Sequence, residues 1–148
     1  MQNKISEMEN LFLALADKTR LRILNLIGDG EVCVFFFTEA LREPQSKISR
    51  HLAYLRRAGV VETARRGKWI YYRVAQSQDE SARRVFDEIQ TWIATDEGMQ
   101  MDLVRLRQIR LAPQDITFES QQKSTTTTIS QKREEPDFRR EQLEDFLL

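Results

Sequence analysis

Ser46-Lys47-Ile48-Ser49-Arg50-His51-Leu52-Ala53-Tyr54-Leu55-Arg56-Arg57-Ala58-Gly59-Val60-Val61 decides the reading of this chain. It follows a turn, Glu43-Pro44-Gln45, and predicts a helix from about Ser46 to Ala58 that Gly59 closes. At about 100° per residue, Leu52 and Leu55 fall within roughly 40° of Ile48 and form a core face. Ser46, Arg50, Ala53 and Arg57 fall near the opposite side, with Lys47, Ser49 and Tyr54 on its margins. The outward face thus carries short polar side chains and guanidinium groups. An arginine fork can bond a guanine edge in the major groove through two hydrogen bonds, and serine can contact a base or a phosphate. Small neighbours let the helix sit deep in the groove. A merely solvated helix face is the competing reading, and the flanking elements choose between the two.

After the helix, Val60 to Arg65 and Trp69 to Val74 are rich in β-branched and aromatic residues, with Arg66-Gly67-Lys68 as a hairpin turn. Arg65, Arg66 and Lys68 cluster at its tip, where long cationic side chains reach a flanking minor groove or phosphates. Tyr71 and Tyr72 can add hydrogen bonds, although strand aromatics more often pack. Before the helix, Ile5, Met8, Leu11, Phe12 and Leu15 repeat at helical spacing over residues 4–16. Asp17 can cap a second helix that runs to about Ile27, with Leu21, Ile23, Leu24 and Ile27 apolar and Gly28-Asp29-Gly30 ending it. Residues 32–42 read two ways: Val32 to Phe37 suits a strand, and Val32–Val34 can supply a third one, whereas Glu39-Ala40-Leu41-Arg42 favours a helix. Two helices, a tight turn, a helix and a twisted hairpin, in that order, make a winged helix-turn-helix: a mainly α fold with a small β-hairpin wing.

Three segments carry a family resemblance. Leu15-Ala16-Asp17-Lys18-Thr19-Arg20-Leu21-Arg22-Ile23-Leu24 resembles the second-helix signature of ArsR-type regulators. Residues 46–61 resemble their recognition helix and its exit, and Gly67-Lys68-Trp69-Ile70-Tyr71-Tyr72-Arg73-Val74 resembles their wing. The match covers about residues 8–75 in the family's order. It implies a homodimer that represses an operon for metal or metalloid resistance and releases DNA when an inducer binds. One departure matters. In the arsenic-responsive branch the segment matching Glu31-Val32-Cys33-Val34-Phe35-Phe36-Phe37-Thr38 carries two or three cysteines, as in Cys-x-Cys; here Phe35 stands where the second thiol belongs. Trivalent arsenic is held by two or three thiolates, so the arsenic site is incomplete. Cys33 is the candidate inducer-sensing residue, either structural or a single-thiol sensor for an oxidant or one thiophilic ligand. The inducer itself is not named by the sequence.

The net charge of zero looks adverse for a DNA binder, but its distribution does not. Residues 42–73 hold nine basic side chains and two acidic ones, while every other stretch is mildly acidic. Such a patch attracts phosphate locally whatever the total. A length of 148 residues suits one domain with a real core. No apolar run approaches the roughly 18 residues of a membrane span, and Met1-Gln2-Asn3-Lys4-Ile5-Ser6-Glu7 lacks the apolar core of a signal peptide. With a single cysteine and hence no intrachain disulfide, a cytoplasmic protein is expected.

Val85, Phe86, Ile89, Trp92 and Ile93 form a helical stripe, and Met101 to Leu111 continues with Leu103, Val104, Leu106 and Ile109. Together with the first helix these stripes are material for a homodimer interface, or else they pack on the chain's own core. The expected division is a DNA-binding and dimerisation domain over residues 1–112 and a polar, disordered tail over 113–148; Asp137 can cap a short helix there that docks on the dimer or a partner, with frayed disorder as the favoured reading. No metal site is expected: the only histidine, His51, lies in the recognition helix at the rim of its core face, with packing or phosphate contact as its role. Asp87, Glu88, Asp96, Glu97 and Asp102 read as helix-surface charge. Neither a cofactor nor an enzyme activity is expected, for there is no glycine-rich phosphate loop, no paired acidic motif and no second histidine to activate Cys33. The sequence thus points to a DNA-binding transcriptional regulator of repressor type whose partner is double-stranded DNA carrying an inverted-repeat operator. The expected contacts are Ser46, Lys47, Ser49, Arg50, His51, Tyr54, Arg57, Arg65, Arg66 and Lys68. An interaction module without DNA binding is the alternative from another class.

Overall fold

Capping chemistry sets most of the element boundaries. A computed structural model describes residues 3–112. The element order is α1 (Lys4–Leu15), α2 (Lys18–Ile27), β1 (Glu31–Cys33), α3 (Val34–Leu41), α4 (Gln45–Arg57), β2 (Val61–Arg66), β3 (Trp69–Val74), α5 (Glu80–Ile93) and α6 (Glu97–Leu111). Asp17, Asp79 and Asp96 each accept backbone N–H groups at the start of α2, α5 and α6, satisfying donors that a helix leaves open. Gly28 ends α2 at φ 52°, ψ −131°, outside the left-handed helical well and in a region only glycine tolerates. The expected tail and its Asp137 helix lie outside the described residues.

The ambiguous stretch after Gly30 resolves into both of its readings. Glu31–Cys33 pairs antiparallel with β3, and the chain then turns directly into α3. The sheet order is β1-β3-β2, with Val32 opposite Tyr72 and Cys33 opposite Tyr71. The hairpin turn is one residue shorter than expected. Arg66 pairs with Trp69, leaving Gly67-Lys68 as the turn, with Gly67 at φ 61°.

Ile23, Leu24, Val32, Phe37, Leu41, Ile48, Leu52, Leu55 and Val61 are buried together where α2, α3, α4 and the base of the sheet meet. The two C-terminal helices differ. α5 has no fully buried residue, and Trp92 is 76% exposed. α6 starts four residues before the expected Met101 and packs on the same chain through Met99 and Leu106, with Asn25 Nδ2 donating to the Met99 carbonyl at 2.9 Å. Part of its apolar stripe therefore belongs to the core. Asp102 also departs from expectation: it is buried, not a surface charge, because Arg22 and Arg105 both close on it. Among the described residues no helix is long and apolar enough to cross a membrane.

Candidate nucleic-acid interface

The period of α4 separates its two faces as the wheel requires. Ile48, Leu52 and Leu55 are fully buried, while Ser46, Ser49, Arg50, Ala53 and Arg57 are exposed. Unlike the aspartate-capped helices, α4 begins after Pro44, which offers no side-chain acceptor. Its first N–H groups and the positive end of its dipole are left for another acceptor, such as a phosphate. Lys47 is half-buried, with Nζ 3.1 Å from Glu43 Oε2. Tyr54 is half-buried beneath the Arg20 guanidinium, 4.1 Å from the ring centre.

His51 does not share the outward face. Its side chain turns inward, with Nδ1 3.4 Å from Arg20 Nη1 and 3.6 Å from Asp17 Oδ1. The ring is largely buried, at 9% exposure, as the packing role expects, and it is set back from the exposed row of Ser46, Ser49, Arg50, Ala53 and Arg57. Burial holds the imidazole below its ordinary pKa; Arg20, Arg50 and Lys47 push the same way and Asp17 opposes them. The neutral ring can accept from Arg20. That arginine is itself buried, donating from Nε to the Ala14 carbonyl at 2.7 Å and from Nη2 to the Leu13 carbonyl at 2.9 Å. It ties the end of α1 to α2 and α4, a role that no spacing signal in the sequence discloses.

The wing projects beside α4. Arg65 donates to the Gly67 carbonyl at 3.1 Å, and Lys68 lies over the Trp69 ring at 5.2 Å. Arg66 is gripped by both Glu31 oxygens and stacks on Tyr71 at 4.9 Å. Arg73 pairs with Glu62 at 2.6 Å. Between the helix and β3 lies an open cleft of about 420 Å³ lined by Ser49, Ala53, Arg56, Arg57 and Tyr72. Arg56 and Tyr72 enter the surface here although the helical wheel did not select Arg56. Its signal is the wing strand passing alongside, not its own face of the helix. Cys33 lies elsewhere, buried in β1. Among the described residues, no group of three or more His, Cys, Asp or Glu side chains is arranged to hold a metal ion.

Comparison with known proteins places this geometry. The sequence profile of the arsR family of bacterial regulatory proteins matches residues 17–63, from the Asp17 cap to the first wing strand. The arsenic resistance transcriptional regulator ArsR1 of Pseudomonas putida is 46% identical over 91 residues, covering 58% of this chain and 71% of that protein. The arsenical resistance operon repressor of Escherichia coli is 42% identical over 91 residues, covering 61% and 76%. Among solved structures, the homodimeric winged helix-turn-helix DNA-binding domain of Mb0332 from Mycobacterium bovis superposes with a TM-score of 0.52 at 31% identity, covering 61% of this chain and 81% of that one. HlyU from Vibrio cholerae superposes with a TM-score of 0.52 at 28% identity, covering 60% and 97%. Carrying a helix-turn-helix, a basic wing and these relatives, the chain belongs to the arsR family of bacterial regulatory proteins.

Proposed function

We propose that this chain is a sequence-specific DNA-binding repressor acting as a homodimer in the cytoplasm, with residues 1–112 as its DNA-binding and dimerisation domain. One observation carries the reading: the face of α4 opposite its buried leucines is a row of Ser46, Ser49, Arg50, Ala53 and Arg57, with no acidic side chain on it. In the groove, Arg50 reads a base edge, Ser46 and Ser49 flank it, and Lys47, Arg57 and Tyr54 line the margins. Arg65, Arg66 and Lys68 hold flanking phosphates. His51 supports the helix from behind.

The dimer reading rests on exposed apolar side chains outside the helix-turn-helix. Ile5 is 67% exposed, Phe12 50% and Trp92 76%. Apolar faces of this kind on α1 and α5 mark an association surface, and the relative from Mycobacterium bovis is described as homodimeric. A two-fold dimer presents two α4 helices to successive major grooves, about 34–36 Å apart, so the operator is an imperfect inverted repeat. Gel shift on the DNA upstream of the chain's own gene, at two salt concentrations, tests the reading. Binding is to exceed that to scrambled DNA at both salts and to weaken as salt rises. Equal affinity for scrambled DNA removes the repressor, and a sedimenting monomer at micromolar concentration, free and on DNA, removes the dimer. The inducer we infer is not a chelated metalloid, because Cys33 is the chain's single cysteine.

A further inference from the structure

Asp102 is the most completely buried charge among the described residues, at 1% exposure. Both its oxygens are engaged. Oδ2 accepts from Arg22 Nε at 2.7 Å, and Oδ1 accepts from Arg22 Nη2 at 2.9 Å and from Arg105 Nη2. The same two guanidinium groups reach beyond it to the end of α3. Arg22 Nη2 donates to the Leu41 carbonyl at 3.0 Å, and Arg105 Nε donates to the Ala40 carbonyl at 2.7 Å. These carbonyls belong to the last turn of a helix, where acceptors lack an N–H partner within the helix.

Directly after them comes Arg42, at φ 54° and ψ 44°, the one non-glycine residue with positive φ among the described residues. An L-residue in that well is held there by its surroundings. Beyond it, Arg22 Nη1 lies 3.5 Å from Glu43 Oε1, and Glu43 Oε2 lies 3.1 Å from Lys47 Nζ in the first turn of α4. One carboxylate on α6 therefore organises grips on both sides of the turn that aims the recognition helix. Docking α6 alone does not require this, since Met99 and Leu106 already bury its inner face and Leu103 and Ile109 pack on the core. Nor is stability what such a cluster supplies best, because buried ion triads can often be exchanged for apolar residues without loss of stability. What the charges add is direction, since each guanidinium fork fixes its acceptors in a plane.

We propose that Asp102, acting through Arg22 and Arg105, is a positioning residue for DNA binding: it sets the angle at which α4 leaves the α3–α4 turn. The proposal rests on the DNA-binding reading of α4. Its test replaces the cluster by apolar residues, Arg22→Met with Asp102→Leu and Arg105→Met, and compares melting, operator affinity and amide hydrogen exchange of the free protein. The expected variant melts at or above the wild-type temperature, yet binds operator DNA at least tenfold more weakly. The amides of Arg42, Glu43, Gln45, Ser46 and Lys47 exchange faster in it. Arg105→Lys keeps a charge opposite Asp102 but lacks the Nε donor for the Ala40 carbonyl. It serves if the triple variant does not fold, with an expected threefold to tenfold loss of affinity and faster exchange at the turn. Wild-type operator affinity in a folded variant overturns the proposal. If the wild-type protein itself binds no DNA preferentially, the DNA-binding reading falls instead, and exchange in the free protein still decides whether the cluster orders the turn.

Discussion

The chain uses arginine in two opposite ways. On α4 and the wing, Arg50, Arg57 and Arg65 are exposed, and no carboxylate pairs with Arg50 among the described residues. Behind the helix-turn-helix, Arg20, Arg22 and Arg105 turn their donors to the Leu13, Ala14, Ala40 and Leu41 carbonyls and to Asp102. The same side chain faces solvent in one place and serves as a clamp in the other. What separates the two is the set of acceptors that the fold brings within reach. Charge counting sees neither role. The basic excess over residues 42–73 is also partly neutralised, because Lys47, Arg66 and Arg73 are paired with Glu43, Glu31 and Glu62.

The sharpest way to break this contrast is to remove one member of each set. Asp102→Ala leaves two guanidinium groups facing an emptied, buried site. Removing one partner of a buried ion pair costs about 3–5 kcal/mol, and the partial exposure of both arginines places the expected loss near the lower end. Arg50→Ala touches no partner and stays within about 0.5 kcal/mol of wild type. Urea denaturation of the two variants measures the difference. A loss below about 1 kcal/mol for Asp102→Ala puts the cluster in the same class as an ordinary surface pair.

In DNA binding the ranking reverses within the reading set. Arg50→Ala is expected to lose about 1–3 kcal/mol of operator affinity and to relax base preference at one position of each half-site. Lys68→Ala weakens binding evenly across sequences and lowers the salt slope by about one. Arg66→Ala has the smallest effect of the three, because that guanidinium must leave Glu31 before it can reach a phosphate. Fluorescence anisotropy over a salt series ranks them, and an unchanged affinity in folded Arg50→Ala overturns the assignment of this face of α4 to base recognition.

Much of the fold was legible because single residues decide boundaries. Asp17 caps α2, Gly59 closes α4, and Ile48, Leu52 and Leu55 define one face whatever surrounds them. Residues 31–41 were not decidable locally. Val32 and Cys33 become a strand only because β3 lies alongside, and Phe37 becomes helical core only because α2 and α4 enclose it. The outward cations of α4 and the place of His51 at the rim of the core face were legible from the helical period, but the partner of His51 and the burial of Asp102 were not. A polar residue next to a core face is drawn inward or outward by its partners, and those partners, Arg20 for His51 and Arg22 for Asp102, lie 31 and 80 residues away.

His51 offers a smaller effect that sharpens the same contrast, since it sits between the two sets. Burial lowers its pKa in the folded protein below the ordinary value of 6.5. The unfolded chain therefore binds the proton more readily, and stability is lost as pH falls through the unfolded value and below. Neutral His51 accepts from Arg20, whereas a protonated ring faces Arg20, Arg50 and Lys47 with only Asp17 in compensation. Denaturation at pH 7 and pH 5 is expected to show a fall in stability that His51→Gln reduces. The same fall in the variant assigns the acid sensitivity to carboxylates elsewhere.

The smallest expected effect is that of arsenite, and here resemblance and residue count pull apart. Two similar regulators are named for arsenic resistance. Yet Cys33 is the only thiol in the chain, 4% exposed, and its backbone pairs with Tyr71 in the sheet. A trivalent arsenic centre needs two or three thiolates, so the only additional thiol is the matching cysteine of a second protomer. Cys33 belongs to the inner layer of its own protomer, beside Val32 and α3, whereas the exposed apolar faces suited to association lie on α1 and α5. With so little of Cys33 exposed, its thiol is not presented at those faces. Titrating arsenite into the protein–DNA complex is therefore expected to leave DNA bound, in wild type and in Cys33→Ser alike. Release at low micromolar arsenite that Cys33→Ser abolishes would overturn this and point to a site shared between protomers. Phe35→Cys tests the same logic from the other side. It places a second thiol two residues on, in the first turn of α3, and is expected to confer an arsenite response that Cys33→Ser then removes.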